Sequence, residues 1–152
     1  MSSAETAQHE AVSRIGIVGG GFMGSGIAES AAVAGIGVAL IDVDEAALDR
    51  SRARIEASLA KAVERGKLDD AAPVLGRIDF TAGLDALEGA EFVVEAVPEV
   101  AELKREVFAA IAERVGDEIV IASNTSSIPI AELAGATDRA DLVCGLHFFS
   151  PV

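Results

Sequence analysis

The sequence predicts an α/β domain, a doubly wound parallel sheet with helices packed on both faces. Short apolar runs alternate with helix-patterned stretches from Arg14 onward, and such alternation builds right-handed β-α-β crossovers into a parallel sheet. The composition is 51% hydrophobic but only 4% aromatic, with no Trp or Tyr, so the apolar mass is aliphatic. That suits strands buried under Ala-rich helices. Six strands in two halves fit the order 3-2-1-4-5-6.

Each element has its own signal. "RIGIVG" is an apolar run broken by glycine, and "FMGSGIAESAAVAG" follows with helical spacing and a stop at Gly35. "GVALID" reads as the second strand. A long helix from Glu45 to Arg65 ends at Gly66, with Ala47, Leu48, Ile55, Leu59, Ala62 and Val63 mostly on one face. It makes the second crossover longer than the minimal fold needs, an extended helical insertion between strands two and three. "GRIDFTA" and "EFVVEAV" read as strands three and four, the latter turning at Pro98. Residues 100–115 form an amphipathic helix through Val100, Leu103, Val107, Phe108 and Ile111. "EIVIAS" is the fifth strand, "IPIAELA" a short helix with Pro129 near its start, and "DLVCGL" the sixth strand.

The 152 residues suit one domain, expected over 14–152 behind a disordered leader, 1–13. The start "MSSAETAQHE" carries acids, no basic residue and no apolar core, so it is not read as a signal peptide. A net charge of −13 argues against nucleic acid, whose phosphates require clustered Lys and Arg. The longest uncharged apolar run, 30–41, is shorter than the roughly 20 residues that span a bilayer, so no membrane partner is expected. The single cysteine, Cys144, excludes an intrachain disulfide and is expected to be a small buried hydrophobe. These features make the cytoplasm the expected compartment. No metal-ligand set is read.

In "GIVGGGFMGSG", Gly19, Gly21 and Gly24 stand at G-x-G-x-x-G spacing between a strand and a helix. Gly19 permits the tight turn, Gly21 lets a pyrophosphate approach, and Gly24 lets the helix pack closely. Gly20, Phe22 and Met23 complete the loop, whose helix N-terminus offers N–H groups to phosphate. Eighteen residues after Gly24, Asp42 ends the second strand. A carboxylate there accepts from both ribose hydroxyls of NAD and repels the 2′-phosphate of NADP. NAD is the expected cofactor, with FAD left open. The bland alternative is a glycine turn followed by a helix-capping Asp.

"EFVVEAVPE", "ASNTSSIP" and "GLHFFSPV" together resemble the N-terminal domain of the 3-hydroxyacyl-CoA dehydrogenases, including the 3-hydroxybutyryl-CoA dehydrogenases, over nearly all of 14–152. The resemblance implies NAD-dependent oxidation of a 3-hydroxyacyl-CoA, or the reverse reduction, in fatty acid metabolism. It makes His147 the general base, a role suited to an imidazole, and Ser126 a hydrogen-bond partner of the substrate's 3-oxygen. Asn124 becomes an orienting residue of the catalytic set. Glu99 and Lys104 fall near the nicotinamide end of the cofactor site, and Ser58 and Arg65 on the CoA portion. From spacing alone, Glu99 is a helix-start acid, Lys104 and the Ser58–Arg65 face are solvated, "SNTSS" is a capping turn, and His147 is a core histidine.

Ser150 departs from the family's usual Asn in "HFFNPV", with one donor in place of two. That keeps acyl-carrier-protein or carnitine-like substrates open. In the family a glutamate about a dozen residues past the histidine fixes its tautomer, and an all-helical C-terminal domain closes the acyl pocket and forms a homodimer. The chain is therefore expected to be the cofactor domain with an incomplete, inactive site and a mobile end that leaves Phe148 and Phe149 partly uncovered. The competing reading is a non-catalytic NAD-binding module.

Overall fold

A computed structural model describes residues 11–152. Most of the leader expected over 1–13 lies outside the described residues; Ser13 is held by its N–H to Glu91 Oε1 at 3.1 Å. Six parallel strands form one sheet: β1 (Arg14–Val18), β2 (Gly37–Ile41), β3 (Ile78–Thr81), β4 (Phe92–Glu95), β5 (Val120–Ser123) and β6 (Val143–Gly145). Their order is β3-β2-β1-β4-β5-β6, as the alternation predicts. The order reverses between β1 and β4, which opens a crevice at the carboxyl ends of the strands.

Side chains alternate across the strands and divide the core into two layers. Ile15, Ile17, Val38 and Leu40 face α1 (Phe22–Val33) and α2 (Glu45–Glu64), where they meet Ile27, Ile55 and Leu59. Val18, Ile41, Val93 and Ile121 face the other way, onto Phe108 and Ile111 of α4 (Ala101–Ala112) and Leu133 of α5 (Ile130–Ala134). Asp44 caps α2, its Oδ1 accepting from the Ala47 N–H at 2.7 Å. After Gly66, a one-turn helix α3 (Ala72–Leu75) precedes β3. The sequence reading did not anticipate it, since four residues are too short to show a period, but Pro73 marks its first turn.

Three details depart from expectation. Val100 is the exposed N-cap of α4, not part of its buried face. The sixth strand shortens to three residues, because Asp141 and Leu142 belong to a preceding 3₁₀ turn. Cys144 is exposed rather than buried. It sits on the edge strand, and an apolar string in sequence does not reveal whether a layer covers it. Partial burial still pushes its thiol pKa up, away from a reactive thiolate. Among the described residues no helix is long and apolar enough to cross a membrane.

Candidate functional site

The glycine loop leaves β1 through a left-handed residue. Gly19 has φ +106° and a Cβ there would lie 2.6 Å from the backbone carbonyl of Ala96. A Cβ on Gly24 would lie 1.7 Å from the Gly19 carbonyl oxygen. Both positions demand glycine on steric grounds. Gly21 meets nothing within 4 Å and presents open backbone beside the first turn of α1. Phe22, the first residue of α1, is 63% exposed beside it.

Gly20 is fixed from two sides. Its N–H donates to Asp42 Oδ2 at 2.7 Å. Its carbonyl accepts from Ser25 Oγ at 2.9 Å, from the buried Ser51 Oγ, and from Arg54 Nη1 at 3.3 Å. Ser51 and Arg54, both from α2, were missed by sequence reasoning. Asp42 Oδ1 accepts from the Val43 N–H at 2.7 Å. Asp42 is therefore no helix cap; that task belongs to Asp44.

Beyond the loop lies a cleft of about 670 Å³ lined by Gly19, Gly21, Phe22, Met23 and Asp42, with Ile41, Val97 and Val107 among its apolar walls. An apolar slot whose rim carries a carboxylate and, beside it, a helix N-terminus could hold an adenosine and its pyrophosphate. Its wall from α4 was not legible in sequence.

A second cluster gathers at the ends of β4, β5 and β6. His147 is exposed among the described residues, and its Nε2 lies 2.9 Å from Ser126 Oγ. Its ring lies 4.5 Å from that of Phe149. Asn124 Oδ1 accepts from the Phe148 N–H at 2.7 Å and so orients the segment that carries the histidine. Phe149 is 73% exposed, whereas Phe148 packs against the α1 side of the core. Ser126, Asn124 and His147 are thus brought together, outside the apolar cleft.

Glu99 and Lys104 do not line that cleft either. Glu99 Oε1 accepts from Thr125 Oγ1, from the N–H groups of Ser126 and Ser127 at 3.1 Å each, and from Ser127 Oγ at 3.0 Å. Lys104 is 1% exposed, which corrects the solvated-face reading. Its Nζ donates to Glu95 Oε1 at 2.6 Å and to the Val97 carbonyl at 3.0 Å, and stands 3.5 Å from Glu99 Oε2. Glu95, fully buried and missed in sequence, also accepts from Ser123 Oγ at 2.6 Å and the Val97 N–H at 2.7 Å.

Burial alone would raise the pKa of Glu99, but the bonds from Thr125 and Ser127 together with Lys104 outweigh it and hold the carboxyl at about 2. A depressed carboxylate pKa stabilises the fold above its unfolded value, and that stabilisation is lost as pH falls through the folded one. The stability gap between the parent and Glu99→Gln should therefore be full above pH 4.5 and close as pH falls towards 2. Urea titrations across that range measure it; a gap independent of pH would assign it to packing instead.

Ser58 lies on α2, one turn beyond Arg54, and Arg65 follows at the end of that helix. Ser58 Oγ donates to Glu29 Oε1 at 2.7 Å, and Arg65 is the exposed C-cap. Ser150 is exposed as well.

Comparison with known proteins identifies the family. The family described as 3-hydroxyacyl-CoA dehydrogenase, NAD binding domain, matches residues 14–152. A 3-hydroxybutyryl-CoA dehydrogenase of Mycobacterium tuberculosis is 45% identical over 146 residues, covering 94% of this chain and 51% of that protein. Crystal structures of M. tuberculosis FadB2 and of the (S)-3-hydroxybutyryl-CoA dehydrogenase PaaH1 from Ralstonia eutropha superpose with TM-scores of 0.91 and 0.90, at 44% and 41% identity. They cover 94% and 93% of this chain and 51% of each of theirs. The chain thus spans about half the length of the curated relatives it matches. With the glycine loop, Asp42 and the Ser126–His147 pair all on one edge of the sheet, the chain belongs to the NAD-binding domain family of the 3-hydroxyacyl-CoA dehydrogenases.

Proposed function

We propose that the chain is the cofactor-binding part of a cytoplasmic enzyme that oxidises a 3-hydroxyacyl-CoA to the 3-oxoacyl-CoA, or runs the reverse reduction. The approach of His147 Nε2 to Ser126 Oγ at 2.9 Å carries this reading, because a pure cofactor binder needs neither group. Ser126 donates to the substrate's 3-oxygen, and His147 takes the hydroxyl proton at Nε2. When bound, NAD supplies the hydride acceptor. The loop from Gly19 to Gly24 holds its pyrophosphate and Asp42 its ribose, while Ser58 and Arg65 meet the CoA portion. The complete enzyme works as a homodimer.

Among the described residues the one hydrogen bond of the His147 ring is to Ser126. No carboxylate there fixes its tautomer, so the chain alone should bind NAD yet turn over negligibly. An NADH absorbance assay with 3-hydroxybutyryl-CoA on this chain, the complete enzyme and its His147→Gln variant tests this. The complete enzyme should turn over, and the variant should lose about 10²- to 10⁴-fold in kcat with NAD affinity little changed. Robust turnover by the chain alone, or an unaffected variant, would refute the assignment.

Asp42 should set cofactor choice. NAD is expected to bind at least about tenfold more tightly than NADP, about 1.4 kcal/mol, and Asp42→Ala should narrow the gap mainly by relieving repulsion. Equal affinities in the parent, by calorimetric titration, would remove Asp42 from the cofactor site.

A further inference from the structure

We propose that Glu99 is a positioning residue, whose Oε1 ties the 124–127 turn so that Ser126 Oγ meets His147 Nε2. The inference rests on the reading of Ser126 and His147 as the reacting pair. The turn links β5 to α5 without a helix or strand of its own. Ser126 and Ser127 are exposed, so packing does not hold them. Four donors from three consecutive residues instead converge on one carboxylate oxygen. Two of them are the adjacent N–H groups of Ser126 and Ser127, and aiming both at one acceptor fixes the backbone that carries the Ser126 side chain.

The carboxylate is itself held from below. Lys104 Nζ reaches Glu99 Oε2 at 3.5 Å while Glu95, with Ser123 and the Val97 backbone, locks the ammonium in place. A continuous polar chain therefore runs from the core, through Glu95, Lys104 and Glu99, to the turn and the histidine. Thr125 closes it locally, its Oγ1 accepting from the Ile128 N–H at 3.0 Å. An amide at position 99 would keep an oxygen acceptor for the turn but lose the charge that Lys104 faces. A shorter or apolar side chain would release the turn.

The test reads the His147 ring directly and needs no turnover. The chain has two histidines, His9 and His147, so ring ¹⁵N spectra of the labelled protein are assigned with His147→Gln. Ser126→Ala defines the ring signal when the Nε2 partner is lost. Glu99→Ala should move the His147 signal more than half-way to that position, Glu99→Gln by less, and the His9 signal should stay where it is. A folded Glu99→Ala protein, checked by circular dichroism, with an unmoved His147 signal overturns the proposal. Should Glu99→Ala fail to fold, Glu99→Asp decides: it keeps the charge but draws the carboxylate back from the turn by one methylene, so movement of the His147 signal supports the proposal and none overturns it. Titration of the same samples with NAD reports on the glycine loop, and His147→Gln in the complete enzyme reports on the reaction. Failure of either reading is thus distinguishable from failure of this one.

Discussion

Gly24→Ala is expected to unfold or severely destabilise the domain and to abolish NAD binding. The added Cβ would sit 1.7 Å from a backbone oxygen, which cannot rotate away as a side chain could. Overpacking against side chains costs about 1–3 kcal/mol, and a rigid partner places this change at the top of that range or above. Gly21→Ala is the control, because its Cβ meets nothing within 4 Å. That variant should keep parent stability while losing affinity, because on the proposed role of the loop the methyl would occupy the open backbone face offered to the pyrophosphate. Urea midpoints and NAD titrations of the pair decide the matter. Parent-like stability in Gly24→Ala would mean that the loop and α1 part more easily than their contact implies.

The second large effect concerns the buried ion pair of Glu95 and Lys104, 0% and 1% exposed. Removing one partner strands the other charge without water, so Lys104→Met should cost about 3–5 kcal/mol. Pairing it with Glu95→Gln should recover part of the loss, since an amide can still serve Ser123 and needs no counter-charge. A double-mutant cycle by denaturant unfolding should give a coupling of about 0.5–3 kcal/mol. Strict additivity would show that the two charges are solvated independently, contrary to their burial.

The sheet was legible because most strands carry an aliphatic run and the first two long helices each have a stop, Gly35 and Gly66, both at positive φ. Chain order then dictates the crossovers. Residues whose role depends on cross-chain distance were not legible. Glu95 reads as the polar end of "EFVVEAV", and Lys104 as one more charge on an amphipathic helix. Only folding places the ammonium 2.6 Å from that carboxylate, nine residues away. Ser51 and Arg54 were hidden in the same way within the polar pattern of α2. The motif residues His147 and Ser126 were named through the resemblance, because a lone exposed histidine has no periodicity to announce it. Cys144 shows the converse, an apolar neighbourhood in sequence that is an uncovered edge in space.

The Gly20 peptide, gripped at its N–H by Asp42 and at its carbonyl by Ser25, Ser51 and Arg54, has a kinetic consequence. A loop already anchored by both α1 and α2 has little conformational entropy left to surrender when a dinucleotide arrives. Association should then follow a single step whose rate rises linearly with ligand concentration, without the saturation that a slow rearrangement imposes. The amide hydrogen of Gly20 should exchange slowly with solvent even in the free protein, for its acceptor is in place before any ligand is.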